Sequence, residues 1–378
     1  MTDASNDVSP PADPAPARRI LSIDALRGLD MMMILGLREV ILALCLAFGL
    51  DGLHGVLESQ AHHPKWNGFT AWDLIFPLFL FLAGASMPLS FEKRLARGDT
   101  RGTLALHTAR RAALLVFFGV VYNGLLALDL EGLRYASVLG RIGLAWAGAA
   151  LAVLFLPLRG QVIAFAAVLA AHSAALLLVP APGLDAVSLE PGQTFGDWFD
   201  RQTVPGRLHE TVRDPEGLFG VLSAIGTALL GSFAGRWLRR QDVADRRRVG
   251  WLVAAGLQCL LVGWLLDAAG LPVNKNLWTA SFVLVAGGWS LVLLGLFHLV
   301  FDVVGAPRLG FVLSVVGANA ILAYLLSAYV DYRGIAEVLC GRALETGRMS
   351  EALVPVLVLA MQWALLLSFW RRRLFLRV

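Results

Sequence analysis

LIFPLFLFLAGA, at residues 74–85, is an unbroken run of apolar and small side chains. A strand of a membrane barrel alternates apolar and polar side chains, and this run does not alternate. Because lipid cannot hydrogen-bond a bare backbone, a segment that crosses the bilayer is either a helix or part of a closed barrel. The run therefore predicts a transmembrane α-helix.

Similar apolar blocks recur along all 378 residues, of which 57% are hydrophobic and 16% charged. Soluble domains carry about 25% charged residues. A hydrocarbon core of about 30 Å is crossed by about 20 apolar residues of helix. The sequence therefore predicts an all-α, polytopic transmembrane helix bundle of about ten spans. The predicted spans are residues 22–44, 69–91, 107–127, 137–156, 161–180, 217–235, 250–268, 279–301, 309–330 and 353–370.

Charge between the spans predicts their orientation. With these boundaries, 20 of the 32 basic residues fall in alternate connections and termini, and nine fall in the others. Basic residues are enriched on the cytoplasmic side of membrane proteins. We therefore expect both termini in the cytoplasm and the longer loops outside, with Trp66, Trp198 and Trp278 at the outer interface.

The chain is predicted to form one membrane domain over residues 21–378, preceded by a disordered cytoplasmic tail at residues 1–20 that is rich in Pro, Ala and Asp. A net charge of +4 without a basic stripe does not indicate nucleic-acid binding. The expected partners are the lipid bilayer and a small-molecule or glycan acceptor, with a homodimer as an option. The three cysteines and the histidines lack metal-ligand spacing, so we expect no metal.

Ionisable side chains inside a membrane span are costly and therefore mark candidate functional positions. Asp24 and Arg27, three residues apart, share one helix face at the cytoplasmic end of the first span. The two side chains are either an ion pair at the helix end, near the membrane interface, or a contact for a cytoplasmic anionic ligand. Three further residues lie within or near spans at the outer side: Arg38, Glu39 and Arg141.

Together with Asp73, these three side chains have a summed charge of zero, which suits a paired network. The network is either purely structural or the lining of a polar cavity open to the outside. The preceding loop carries His63, Trp66 and Asn67. A histidine titrates near neutral pH and can serve as a general base, although a loop histidine is often simply solvated.

Three more polar stretches are candidate binding positions. Glu216, in Asp-Pro-Glu-Gly at 214–217, opens a span and is either a helix-capping or a site residue. Asn274, Lys275 and Asn276 place two amides and an amine at an outer boundary, where they could hold a sugar. Asn319 lies within the ninth predicted span, where an amide can hydrogen-bond across helices.

These stretches together resemble the heparan-α-glucosaminide N-acetyltransferase family. The matching segments, in order, are Ser22–Gly28, His63–Gly68, Asp73–Pro77, Val138–Gly143, Asp214–Gly217, Asn274–Thr279 and Gly317–Ala320.

The resemblance implies a transmembrane acetyltransferase that moves an acetyl group from cytoplasmic acetyl-CoA to an amino-sugar-type acceptor on the far side. Its catalytic histidine matches His63, three residues before Trp66. This histidine is either the general base or the carrier of the acetyl group. Asn67 and Asp73 would complete the catalytic set, and Asp24 and Arg27 would lie near the CoA. Residues expected to contact the acceptor are Trp66, Glu39, Arg38, Arg141, Asn274, Lys275, Asn276, Glu216 and Asn319.

The chain departs from the family pattern at Arg38-Glu39, near where the animal enzymes carry an asparagine, and its loop between the first two spans is longer. The acceptor therefore need not be the family's own. A multi-pass protein of the bacterial inner membrane would meet amino sugars of the cell wall or envelope. The alternative hypothesis is an amino-sugar permease of the inner membrane.

Overall fold

The described part of the chain consists of helices joined by loops, which confirms the all-α prediction. The computed structural model describes residues 20–130, 132–341 and 348–376. The predicted tail lies outside the described residues except for Ile20. The helices are α1 (Leu21–Met32), α2 (Arg38–Ala47), α3 (Asp51–Gln60), α4 (Ile75–Leu95), α5 (Arg101–Tyr122), α6 (Val138–Phe155), α7 (Leu158–Leu178), α8 (Phe195–Thr203), α9 (Val221–Leu238), α10 (Asp245–Ala268), α11 (Ala280–His298), α12 (Pro307–Gly317), α13 (Ala320–Tyr329), α14 (Tyr332–Cys340) and α15 (Arg348–Arg371).

Within these ranges, eight helices are long and apolar enough to cross a bilayer, and a bent pair makes a ninth. The bent pair is α12 and α13, which meet at 58°. The first predicted span, 22–44, falls on α1 and α2, joined by a π-helical turn at Met33–Leu37. Gly36 in that turn has φ 124°, a conformation that favours glycine. This region also holds five ionisable residues, so it differs from an ordinary apolar span.

α4 and α9 form the centre of the bundle and approach each other through glycines. A Cβ atom on Gly231 would overlap the carbonyl oxygen of Phe81, and one on Gly235 would overlap that of Ala85. Small residues let membrane helices pack backbone to backbone. The buried fractions of the helices agree with this arrangement. In the most apolar stretch of α9, 67% of the residues are buried inside the protein, compared with 17% for α10. α10 therefore lies at the lipid-facing periphery.

α1 and α12 form a second close contact. A Cβ on Gly28 would overlap the carbonyl of Leu313, and one on Gly317 would overlap that of Asp24. Gly28 thus follows Arg27 in the sequence motif because only a glycine permits this crossing. The contact fixes Asp24 and Arg27 against the break between α12 and α13.

The connections predicted to share one side of the membrane contact each other. Trp66 Nε1 donates to the Leu189 carbonyl at 2.9 Å, which joins the loop before α4 to the loop after α7. On the other side, Arg239 after α9 pairs with Glu92 near the end of α4. The alternation of loops thus agrees with the predicted spans. The assignment of one side to the cytoplasm stays a prediction from charge.

Trp278 is not an interface aromatic, so that prediction is wrong. Its side chain is 0% exposed and packs against Phe76 and Phe282, at ring-centroid distances of 4.7 and 5.1 Å. Its indole nitrogen donates to Thr227 Oγ1 at 3.2 Å. Trp278 is therefore a core residue that anchors the loop between α10 and α11 onto α4 and α9.

Candidate active site

Asp73 is held rigidly at the start of the α4 span. It lies in a short 3₁₀ turn, Ala71–Leu74, where a capping box joins it to Thr70. One carboxylate oxygen, Oδ2, accepts from the Thr70 backbone nitrogen at 3.0 Å and from Thr70 Oγ1 at 3.2 Å. Asp73 is 1% exposed. The other oxygen, Oδ1, is thus left in a fixed position to accept a further hydrogen bond.

His63 supplies that hydrogen bond. Its Nδ1 lies 2.6 Å from Asp73 Oδ1, and its side chain remains 45% exposed. A carboxylate that accepts from Nδ1–H fixes the tautomer in which Nε2 has a lone pair. His63 is therefore tied to Asp73 through Nδ1 but remains half-exposed, and its Nε2 has the lone pair that a base or nucleophile requires.

Lys275 completes the cluster from the loop between α10 and α11. Its Nζ lies 3.0 Å from His63 Nε2 and 3.9 Å from Asp73 Oδ1. Burial lowers the pKa of Lys275, and the negative charge of Asp73 opposes this in part. The amine of Lys275, whose charged form is disfavoured by burial, thus lies directly beside the imidazole.

Two asparagines position the loop that carries Lys275. Asn274, which is 0% exposed, donates from Nδ2 to Asn67 Oδ1 at 2.9 Å. Its Oδ1 accepts from the Leu277 backbone nitrogen at 3.0 Å. The Asn67–Asn274 bond ties the loop of His63 to the loop of Lys275. The structure thus brings together Asn67, His63, Asp73, Asn274 and Lys275, while Asn276 lies in the same turn.

A cavity of about 310 Å³ opens at this cluster. His63 and Lys275 lie at its polar end, and Trp72 and Tyr324 form part of its wall. The ring of Tyr324 stacks on Tyr122 at 4.2 Å. We call this space the His63 cavity. It is large enough for a small acceptor group to approach Nε2.

A second cavity, of about 410 Å³, lies on the opposite side of the bundle and is called here the Arg27 cavity. Its polar lining includes Arg27, His107 and Arg111 together with Asp24. Arg27 lies 3.5 Å from Asp24, as the spacing predicted, and donates to Ser86 Oγ at 2.7 Å.

The two cavities share part of their walls. Phe79, Ala320 and Ile321 line both of them. Along α4, Phe76 faces the His63 cavity and Ser90 faces the Arg27 cavity, and 14 residues of helix span about 21 Å. The arrangement gives two chambers that are offset along α4 and separated by a thin partition.

The four charges predicted to form one network are separated. Arg38 pairs with Glu39, with its Nε 2.9 Å from Oε1, and lies over the Trp72 ring at 4.3 Å. Arg141 is 2% exposed and donates to the Gly217 carbonyl at 2.7 Å. Arg38 and Glu39 thus pair with each other, whereas Nε and Nη1 of Arg141 lack a hydrogen-bond partner within the described residues. The prediction of a single network is wrong.

Other predicted site residues serve to join segments. Glu216 and Asp214 both pair with Arg134. Burial works against ionisation of Asp214, but the hydrogen bonds and charge of Arg134 outweigh it and hold its pKa below the ordinary value. These contacts fasten the loop before α9 to the loop before α6.

Asn319 and Trp66 are also held by other parts of the protein. Asn319 lies at the break between α12 and α13, where its amide donates to the Leu374 carbonyl and accepts from the Leu376 backbone nitrogen. Trp66 lies below the guanidinium of Arg213 at 4.6 Å. The structure does not bring these two side chains to Nε2 of His63.

His107 and Arg111 were not predicted as site residues. In the structure α5 begins at Arg101, so both residues lie in a helix, one turn apart. Arg111 lies over the Trp146 ring at 4.2 Å. The spacing of four residues was the signal for a shared helix face. In the ranges described, no group of three potential metal ligands occurs.

Fold and site together define a polytopic α-helical membrane protein with a histidine–carboxylate pair at the mouth of one of two adjoining cavities. Comparison with known proteins agrees with the resemblance predicted from the motifs. The chain is similar to the heparan-alpha-glucosaminide N-acetyltransferase of Homo sapiens, with 29% identity over 319 residues, which cover 70% of this chain and 48% of the relative.

The mouse protein of the same name, from Mus musculus, is 26% identical over 377 residues, covering 85% of this chain and 55% of the relative. The chain thus spans about half the length of the curated relatives it matches. Residues 19–127 also match a family model described as Domain of unknown function (DUF5009). That segment includes His63, Asp73 and Arg27.

Proposed function

We propose that the protein is an acetyl-CoA-dependent acetyltransferase that acts across the membrane. It takes the acetyl group from acetyl-CoA on the cytoplasmic side and transfers it to an amino-sugar-type acceptor on the outer side of a bacterial inner membrane. The observation that carries this proposal is the pair of adjoining cavities, one with His63 at its mouth and the other with Arg27 and Arg111. The resemblance to N-acetyltransferases supports it.

The Arg27 cavity fits the anionic end of acetyl-CoA. Arg27 and Arg111 supply positive charge, and Arg111 Nε has no hydrogen-bond partner within the described chain. Guanidinium groups bind phosphates well because they present several donors in a fixed plane. When bound, acetyl-CoA supplies the activated thioester. Its thioester end would have to reach the shared wall formed by Phe79 and Ile321.

His63 can act in two ways. In direct transfer, the acceptor nitrogen attacks the thioester carbonyl, Nε2 takes a proton from that nitrogen, the carbon–sulfur bond breaks and CoA leaves as the thiolate. In two-step transfer, Nε2 attacks the thioester carbonyl, the carbon–sulfur bond breaks and the thiolate leaves; the acceptor amine then attacks the acetyl group, the Nε2–carbon bond breaks, and the freed Nε2 takes the proton from the amine. Asp73 orients the ring and stabilises its positive charge in both.

Lys275 is placed to stabilise the oxyanion that forms on the acetyl carbonyl. Its ammonium lies 3.0 Å from Nε2, so a carbon bonded to or attacked near Nε2 would carry its oxygen close to Nζ. A fixed cation in a partly buried site stabilises such developing charge strongly. Asn67 and Asn274 act through Lys275 and His63 as positioning residues.

The proposal is tested in sealed inside-out vesicles, whose cytoplasmic face points outward. Radiolabelled acetyl-CoA is added outside and glucosamine is enclosed within, and acetylated sugar in the lumen is measured. His63→Ala should lower the rate by about 10²–10⁴-fold, because the base or carrier is lost. His62→Ala is the matched control, since His62 is exposed and its Nδ1 lies 2.9 Å from the Glu58 carbonyl oxygen, away from Asp73.

Three outcomes decide between the hypotheses. Label on the enclosed sugar that depends on His63 supports the acetyltransferase. Unmodified sugar that crosses the membrane, without acetylation, would support the amino-sugar permease instead. Normal acetyl transfer by a well-expressed His63→Ala protein would remove His63 from the mechanism.

A further inference from the structure

A third cavity, of about 260 Å³, lies beside the His63 cavity and is almost wholly apolar. We call it the lateral groove. It runs between α1, α2 and α3 on one side and the start of α4 on the other, with Leu293 of α11 also in its wall. Trp72 and Ile75 line both the lateral groove and the His63 cavity. The two spaces are therefore neighbours separated by these side chains.

The groove runs inward from the outer surface. Arg38 and Gln60 line its outer part, and Asp30 lines it deeper in the bundle. Asp30 lies in α1 and Arg38 begins α2, so the groove extends from one helix to the next across the π-helical turn at Met33–Leu37. Apart from these polar residues the wall is mainly aliphatic, with Leu42 of α2 and Leu57 of α3 among the residues that face the space. A hydroxyl-rich sugar finds few partners there, whereas an aliphatic chain of similar length fits.

We propose that the acceptor is an amphiphile: an amino sugar whose amine enters the His63 cavity and whose aliphatic tail lies in the lateral groove. This inference rests on the acetyltransferase function proposed above and specifies its substrate class. The acceptor would then be a lipid-linked amino sugar of the outer leaflet rather than a free sugar.

Part of the groove is formed by segments in which the sequence departs from the family pattern, whereas Leu26 and Leu74 in its wall belong to matching segments. Arg38 belongs to the Arg38-Glu39 pair, and Leu57 and Gln60 belong to α3, which lies in the longer loop between the first two spans. Arg38 Nη1 donates to the Ala61 carbonyl at 3.1 Å and so holds the end of α3 against α2. The same bond keeps the outer end of the groove in place.

Among the described residues, Asp30 is the one carboxylate that lines the lateral groove, and it affects which kind of tail binds there. It is 2% exposed, and neither of its carboxylate oxygens has a hydrogen-bond partner within the described ranges. An unsatisfied polar group in an apolar cavity disfavours a purely aliphatic neighbour. A tail that carries a hydroxyl or an amide N–H at this depth would satisfy it. Asp30→Leu should therefore improve the use of a plain alkyl tail.

The experiment compares glucosamine with its methyl, hexyl and octyl β-glycosides as acceptors for the full chain in nanodiscs, with CoA release as the readout. Each methylene that becomes buried should raise kcat/KM by up to about fourfold. Leu57→Trp fills the groove without touching His63, Asp73 or Lys275. Its matched control is Leu53→Trp, one turn earlier on α3, where the leucine is 49% exposed and does not line the groove.

The expected result is a rate that rises with tail length in the wild type and in Leu53→Trp. In Leu57→Trp the advantage of octyl over methyl glucosaminide should fall at least tenfold, while glucosamine turnover stays the same. Equal use of octyl and methyl glucosaminide by the wild type overturns the proposal, as does an undiminished octyl advantage in Leu57→Trp. If Leu57→Trp fails to fold, Leu42→Trp on α2 blocks the same space.

Equilibrium binding of the same glycosides separates this inference from the proposed function. If binding depends on the tail and Leu57→Trp abolishes it, but no CoA is released, the proposed role of the lateral groove stands and the acetyltransferase function is rejected. Acetylation of glucosamine without tail-dependent binding would retain the acetyltransferase and reject the amphiphilic acceptor.

Discussion

Asp73→Asn tests whether the buried carboxylate controls the tautomer of His63. An asparagine has the same shape but only one acceptor atom. If its oxygen faces the two donors of Thr70, its NH₂ group faces His63 Nδ1, which must then accept a hydrogen bond. The imidazole proton moves to Nε2, and the lone pair needed for catalysis is lost. If the amide turns over, its NH₂ group meets the Thr70 backbone N–H instead, which is unfavourable.

The structure therefore predicts that Asp73→Asn loses most of the contribution of the base. That contribution is about 10²–10⁴ in rate, and at 1.36 kcal/mol for each tenfold it corresponds to about 2.7–5.4 kcal/mol in the activation free energy. The effect should fall on kcat more than on the affinity for acetyl-CoA, because the Arg27 cavity is unchanged.

The assay is acetyl transfer by purified protein, with CoA binding measured by calorimetry and thermal stability by fluorescence. His63→Ala combined with Asp73→Asn should be no slower than His63→Ala alone, since the two residues act as a unit. A rate for Asp73→Asn within threefold of the wild type, in a protein that binds CoA normally, would refute the role given to the His63–Asp73 bond.

Two further predictions concern Lys275 and Arg134. Lys275→Met should lower kcat/KM by about 10²-fold if the ammonium stabilises the oxyanion. Because burial lowers the pKa of Lys275, wild-type activity should fall as alkaline pH deprotonates it, and Lys275→Arg should lack this alkaline decline in a pH–rate profile. Arg134→Met leaves Asp214, whose side chain is 0% exposed, without its cation and should cost about 3–5 kcal/mol of stability near neutral pH. Since protonated Asp214 needs no cation, this deficit should shrink below about pH 4 in thermal-unfolding scans, and a pH-independent deficit would contradict the explanation.

The sequence predicted those features that depend on local pattern. Apolar blocks predicted the helical spans, because the length and composition of a span are set by the bilayer alone. The contact between His63 and Asp73 could also be predicted, because the two residues lie in one short segment that leads into a helix. The role of Gly28 beside Arg27 could not be read, because it depends on a crossing with a helix almost 300 residues later in the chain.

Other features depend on partners that no local pattern reveals. Arg38, Glu39 and Arg141 looked like members of one network because their predicted depths in the membrane were similar. The depth of a residue in the membrane does not specify which neighbouring helices its side chain faces. The structure pairs Arg38 with Glu39, whereas Arg141 donates to the Gly217 carbonyl. Trp278 was expected at the interface for a similar reason, although its loop folds inward and buries the ring.

The partition between the two cavities has an electrical consequence. If water fills both cavities, the insulating layer between them is reduced to the side chains of Phe79, Ala320 and Ile321, and most of the membrane voltage falls across that short distance. If the proton removed from the acceptor leaves on the outer side and the CoA thiolate is protonated on the inner side, each turnover displaces one elementary charge. That displacement is worth about 2.3 kcal/mol for each 100 mV, so the membrane potential becomes a term in the equilibrium of acetyl transfer.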